Sequence, residues 1–255
     1  MERRIEHTNV KVVKADGATV KEDRLLIREH PFTIIVNNKS VFHLICTRDH
    51  LKELAAGRLY TEGSIQTKED IREIKLAGNG EKAIISLQCD STEKRSKVLV
   101  SGTDSGPDPA CPTGSQSAAG PAWRPEWIFM LANAFQKDSF VHLKTQGSHS
   151  CFLAKGDRIL FSCEDIGRHN SIDKAIGYAL LHDIDLTECI LYSSGRISVD
   201  MAKKVIAAGI PVLATKAVPT AESVKLAEKC GLTLICRAYP DQFEIYSEEV
   251  QSSSE

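Results

Sequence analysis

The amino-acid sequence predicts an α/β protein, and three observations carry that prediction. From residue 123 onward, short apolar runs alternate with longer segments whose apolar side chains recur at helical spacing. That alternation implies a sheet with parallel pairs and helices on its faces. Before residue 98 the chain instead mixes short β-prone runs with one helical segment, so a smaller β-rich N-terminal domain (1–98) is expected ahead of the α/β domain (123–247). Between the two lies a stretch of different composition.

In the first part, residues 32–36, 41–46 and 83–87 read as strands and residues 49–60 as a helix. Residues 101–121, SGTDSGPDPACPTGSQSAAGP, hold 12 Gly, Pro or Ser among 21 and no Val, Ile, Leu or Phe. Such a segment buries too little to offset its ordering entropy, so residues 99–122 are expected to form a mobile loop carrying Cys111. A helix is expected over 125–137, followed by a hairpin that pairs 151–154 with 158–163 across Lys155-Gly156-Asp157. Ile172, Ala175, Ile176, Ala179 and Leu180 share one helical face, and 189–192 is the next strand. Val199, Ala202, Val205 and Ile206 form a second helical face ending at Gly209. Residues 211–215 form a strand, a helix opened by Pro219-Thr220 closes at Gly231, and strands 232–236 and 243–246 end the run. The polar tail, 248–255, is expected to be disordered.

Composition narrows the function classes. Among 255 residues, 32 Lys and Arg stand against 34 Asp and Glu, so no overall basic field points to a nucleic acid partner. The longest apolar stretches fall far short of the roughly 20 residues a spanning helix needs, so no membrane association is expected. MERRIEH at the N-terminus lacks the apolar core of a secretion signal, and a cytoplasmic location is expected. The eight cysteines, at 46, 89, 111, 151, 163, 189, 230 and 236, include no Cys-x-x-Cys pair. Neither a disulfide framework nor a closed zinc site follows.

In an open α/β sheet, ligands gather where strands end and helices begin. Three such junctions carry polar residues: 164–170 (EDIGRHN), 193–198 (SSGRIS) and 216–220 (KAVPT). Helix-start N–H groups beside Arg168 and Arg196 suit a phosphate. Plain structural roles stand beside that reading: Ser198 and Thr220 as N-caps, Gly195 as a turn residue, Arg168 as a partner for Asp165. His149 is a candidate base or ligand, or a hydrogen-bonded structural histidine. Cys163, Cys189 and Cys236 read as strand core, whereas Cys111 sits where a carrier thiol needs to be, exposed and mobile, or is an incidental surface cysteine.

These junctions resemble the FdhD family, the sulfurtransferase accessory proteins of formate dehydrogenase. The resemblance is densest in EDIGRHNSIDKAIG (164–177), SSGRISVDMAKK (193–204), AGIPVLATKAVPTAESVKLA (208–227) and TLICRAYPDQFEIYS (233–247). TQGSHS (145–150) is similar to the family's Thr-Gly-Gly-x-His segment, and EHPFTIIVNN (29–38) and CTRDHLKELAAGRLYTEGSI (46–65) fit upstream. The resemblance implies a cytidine-deaminase-like, three-layer α/β/α C-terminal domain and a homodimer. It implies that sulfur is taken from a cysteine desulfurase and passed to the bis-molybdopterin guanine dinucleotide cofactor, which then enters the formate dehydrogenase catalytic subunit. GDP-like nucleotides would mimic that cargo.

The cofactor-binding stretch of the family corresponds to Ile235, Cys236, Arg237, Ala238, Tyr239 and Pro240. The diphosphates suit Arg168, His169, Ser194, Gly195 and Arg196, with His149 nearby. No zinc is expected, because the His-x-Glu and Pro-Cys-x-x-Cys elements of the deaminases are both missing, and a metal-dependent deaminase or hydrolase is disfavoured. The family's inter-domain cysteine motif is altered here. If Ser101-Gly102 is the matching pair, Thr103 replaces the cysteine; if ACPTG is matched, Cys111 keeps the first thiol. A threonine hydroxyl forms no persulfide, so the expected carrier is Cys111. The alternative is a molybdenum-cofactor-binding chaperone without sulfur transfer.

Overall fold

The computed structural model describes residues 4–88 and 123–248. The expected mobile loop with Cys111 and nearly all of the polar tail therefore lie outside the described residues. The chain opens with a hairpin that the sequence reading did not contain, β1 (Ile5–Val13) and β2 (Thr19–Ile27), paired antiparallel along its whole length. Charged residues interrupt the alternation of both strands and leave both faces half-wet, which hides them from a hydrophobic-pattern reading.

Next come β3 (His30–Val36), β4 (Lys39–Cys46), α1 (Leu51–Thr61), β5 (Ile71–Ala77) and β6 (Lys82–Leu87). The four strands form a sheet in the order β4-β3-β6-β5. Its inner face, with Phe32, Ile34, Phe42, Leu44 and Ile85, packs against Leu54 and Leu59 of α1. Strand β5 was missed because its less exposed residues, Ile71, Ile74 and Ala77, are spaced by three, a helix-like period. A register shift between Ile71 and Glu73 accounts for the first of these steps, from Ile71 to Ile74.

The second part contains α2 (Pro125–Asp138), α3 (Phe140–Thr145), β7 (His149–Lys155), β8 (Arg158–Asp165) and α4 (Arg168–Leu181). It continues through β9 (Ile190–Ser193), α5 (Val199–Ala207), β10 (Val212–Thr215), α6 (Ala221–Cys230), β11 (Thr233–Cys236) and β12 (Glu244–Ser247). Six strands make one mixed sheet in the order β12-β11-β10-β9-β7-β8. Strands β9, β10 and β11 are parallel and every residue in them is buried, as the unbroken apolar runs require when helices cover both faces. Met201, Val205 and Leu226 lie in the core on one side of the sheet, and Ile128, Leu131 and Phe135 of α2 in the core on the other.

Helix ends follow the local chemistry. Thr220 caps α6 by accepting from the Ser223 N–H at 3.3 Å, and Ser223 Oγ accepts from the Thr220 N–H at 3.0 Å. Gly231 ends that helix at φ 67°, a conformation in which a side chain would be strained. Ser198 is the N-cap of α5 in its backbone conformation, but its side chain makes no capping bond.

The two parts meet where α1 lies against α4. A Cβ placed on Gly57 would stand 1.8 Å from the Asp173 carbonyl oxygen, and one on Gly177 1.9 Å from that of Glu53, so the backbones touch directly. Buried charges sit at both ends of this contact. Asp173 pairs with Lys204 (2.7 Å), and Arg58 lies 3.6 Å away. Lys174, wholly buried, pairs with Asp165 and Asp49 at 2.7 Å each.

Candidate site at the strand ends

The parallel strands β9, β10 and β11 end at one edge of the large sheet. Because β7 runs antiparallel to β9 and β8 antiparallel to β7, β7 begins and β8 ends at that same edge. The topology therefore lines up residues 146–149, 165–168, 194–198, 216–220 and 237–240.

The turn after β8 is organised by Asp165, which is fully buried. Its Oδ1 accepts from the Gly167 N–H and from Asn170 Nδ2, each at 2.9 Å. Its Oδ2 accepts from the Thr47 N–H at 3.1 Å and pairs with Lys174. Lys174, not Arg168, is thus the cationic partner of Asp165, which removes one structural role considered for that arginine.

Arg168 instead lies over Gly195. A Cβ on Gly195 would meet Arg168 Cβ at 3.0 Å and His149 Nδ1 at 3.4 Å, so the missing side chain lets the three residues converge. The Arg168 Nε is buried and has no hydrogen-bond partner among the described residues. Burial pushes the His149 pKa down from 6.5, and the charges of Arg168 and His142 add to the effect against Asp165. A neutral imidazole beside a guanidinium can accept a proton or a hydrogen bond.

The neighbouring residues divide into anchors and rim. His169 bonds Asp200 through Nε2, and burial holds its pKa low although Asp200 opposes the shift. Ser194 Oγ accepts from the Ser150 N–H at 2.9 Å and ties β7 to the loop after β9. Arg196 is exposed. The buried Glu164 carboxylate accepts from the Val141 and His142 N–H groups at 2.9 and 2.7 Å, fixing α3 against this edge.

On the α2 side of the same edge is a pocket of about 210 Å³ lined by Phe135, His142, Gln146, Tyr192, Lys216 and Tyr239, among others. The Lys216 ammonium lies 4.6 Å from the centre of the Phe135 ring. Burial lowers its pKa, and no carboxylate contributes to the shift. An ammonium set among aromatic rings suits an anionic ligand with a planar ring system.

The C-terminal candidates are placed unequally. Ile235 and Cys236 are both 0% exposed and belong to the cores on opposite faces of the sheet, and neither lines the pocket. Strand alternation makes this inevitable inside a covered sheet. Ala238, Tyr239 and Pro240 line the pocket. Arg237, with φ 47°, is exposed and lies 3.5 Å from Glu244 Oε2. Lys216 entered the sequence reading only within a junction, and Phe135 and His142 not at all as site residues.

The thiols are sorted by burial. Cys163, Cys189 and Cys236 are strand or strand-edge core, as expected, and Cys46 and Cys151 join them. Burial pushes the thiols of Cys46 and Cys236 up to about 12 and that of Cys189 up to about 11, and raises Cys151 and Cys163 as well. Cys111 lies outside the described residues. Among the described residues no group of three or more His, Cys, Asp or Glu is arranged to hold a metal ion, and no helix is long and apolar enough to cross a membrane.

The model of the FdhD/NarQ family matches residues 27–252. A protein of Bacillus pumilus named sulfur carrier protein FdhD is 30% identical over 237 residues, covering 90% of each chain. Another of that name from Halalkalibacterium halodurans is 31% identical over 229 residues, covering 86% of this chain and 84% of its own. The fold is similar to the crystal structure of a formate dehydrogenase accessory protein from Desulfotalea psychrophila, with a TM-score of 0.77 at 22% identity, covering 96% of this chain and 97% of that one.

Proposed function

The chain belongs to the FdhD/NarQ family, and from that premise we propose that it is a sulfur carrier serving formate dehydrogenase, with the guanine dinucleotide form of the molybdenum cofactor as its cargo. The observation that carries the reading is the single sheet edge on which Arg168, His149 and Gly195 converge beside the Lys216 pocket. Cations suited to phosphates and an aromatic pocket suited to a base lie along one line, as a nucleotide-bearing ligand requires. The cytidine-deaminase-like reading of the C-terminal part is consistent with helices on both faces of its mixed sheet.

Sulfur would arrive by exchange. The Cys111 thiolate attacks the outer sulfur of a persulfide on a cysteine desulfurase; one S–S bond forms, the donor's S–S bond breaks, and the donor's thiolate leaves with the electron pair. No net oxidation occurs. The assignment to Cys111 is supported by the state of the other thiols. Five of them, Cys46, Cys151, Cys163, Cys189 and Cys236, are buried with raised pKa, which suppresses the nucleophilic thiolate, while Cys89 lies outside the described residues.

Incubation with a cysteine desulfurase and free cysteine should add one sulfur atom to the Cys111 peptide, reversible by reductant and visible by mass spectrometry. An unmodified Cys111 while the donor is loaded would reject the carrier role. The altered loop motif favours one competing reading, a cofactor-binding chaperone without sulfur transfer. Undiminished rescue of formate dehydrogenase by Cys111→Ala would support it.

A further inference from the structure

Asp173 and Lys174 are consecutive on α4, fully buried and oppositely charged, and they turn to opposite ends of α1. Asp173 faces Arg58, Thr61 and Lys204. Lys174 faces the residues just before α1: its Nζ donates to Thr47 Oγ1 at 2.7 Å and pairs with Asp49 at 2.7 Å. It also pairs with Asp165 Oδ2, while Oδ1 of that carboxylate holds the Gly167 N–H and Asn170 Nδ2. Asn170 Nδ2 reaches the Ile45 carbonyl at 2.8 Å as well. Residues 45, 47 and 49 of the N-terminal part are thereby wired, through one carboxylate and one ammonium, into the turn that precedes Arg168.

The two ends of this helix contact differ in one respect. Both bury a lysine, but Lys204 makes no hydrogen bond to residues 165–168 among the described residues, whereas the partner of Lys174 shapes that turn. Removing one member of a buried ion pair leaves the other charge uncompensated, and an uncompensated Asp165 would seek new donors at the expense of the turn.

We propose, on the reading of this edge as a phosphate site, that Lys174 is a positioning residue: it locks Asp165 so that the 165–168 turn holds Arg168 over Gly195 and beside His149. Thr47 and Asp49 thereby contribute to ligand binding without touching the ligand.

Full-length Lys174→Met and Lys204→Met variants should be compared by GDP titration calorimetry and by amide hydrogen exchange over residues 165–170. Lys174→Met is expected to weaken GDP binding at least tenfold and to speed exchange at Gly167. Lys204→Met, which deletes a similarly buried ammonium, should leave the affinity within twofold and that exchange unchanged. Equal losses in both variants, or no change in Lys174→Met, would overturn the proposal. If Lys174→Met does not fold, Thr47→Val serves in its place, with faster exchange at Gly167 expected and unchanged exchange counting against the proposal. Absence of GDP binding by the wild-type protein would reject the phosphate-site reading, while the exchange comparison would still decide whether Lys174 sets the turn.

Discussion

Gly57 and Gly177 press backbone against backbone where α1 crosses α4, with no room for a methyl group on either: a Cβ would stand 1.8 Å from Asp173 O in one case and 1.9 Å from Glu53 O in the other. Alanine ordinarily favours a helix over glycine by about 1 kcal/mol. At position 177 the clash should reverse that preference. Gly177→Ala is expected to lower stability by about 3 kcal/mol, the upper part of the range for overpacking, as measured by urea denaturation. A stabilised variant would show that the helices separate freely.

Arg168→Ala and Arg196→Ala should each weaken GDP binding while leaving the circular dichroism spectrum intact. A charge-assisted phosphate contact contributes roughly 1.5–3 kcal/mol, about ten- to a hundredfold in affinity. The loss should be larger for Arg168, which is half-buried over Gly195, than for the exposed Arg196. Unchanged affinity in both would mark these arginines as structural.

Lys216→Met should weaken GDP binding roughly tenfold and change stability by less than about 0.5 kcal/mol, as is usual where no buried network is broken. Calorimetric titration and thermal melting read the two effects separately.

The depressed pKa of His149 has a definite sign in pH dependence. A histidine held below its ordinary value binds its proton more weakly in the folded than in the unfolded protein. Stability from this group is therefore complete above the unfolded value, about 6.5, and declines as pH falls from there toward the folded value. NMR titration should place the His149 midpoint below 6.5, and GDP should raise it, since a polyanion favours the imidazolium. A midpoint indifferent to GDP would separate His149 from the ligand.

Much of the large sheet was legible because fully buried strands and amphipathic helices write their periods into the chain: α5 and α6 fell where Val199, Ala202, Val205 and the Thr220 and Gly231 boundaries put them. The hairpin β1–β2 and strand β5 were not legible, since neither buries a clean alternating face. At the site, the junction residues Arg168 and Gly195 were legible from strand-to-helix position. The Lys216 pocket was not, because Phe135 and His142 reach it from α2 and α3, elements whose neighbours only tertiary folding decides. Nor was Lys174 visible as an internal cation, because a lysine in a helix reads as solvated until its partners are known.

The contact between α1 and α4 also constrains motion. Apolar helices can slide past one another through a series of near-equivalent seats, but glycine backbones flanked by internal ion pairs offer one. A shift of an ångström or two would stretch the bonds around Asp173 and Lys174 without admitting water to replace them. The halves should therefore travel as one frame rather than hinge, and small-angle scattering profiles with and without GDP should superimpose.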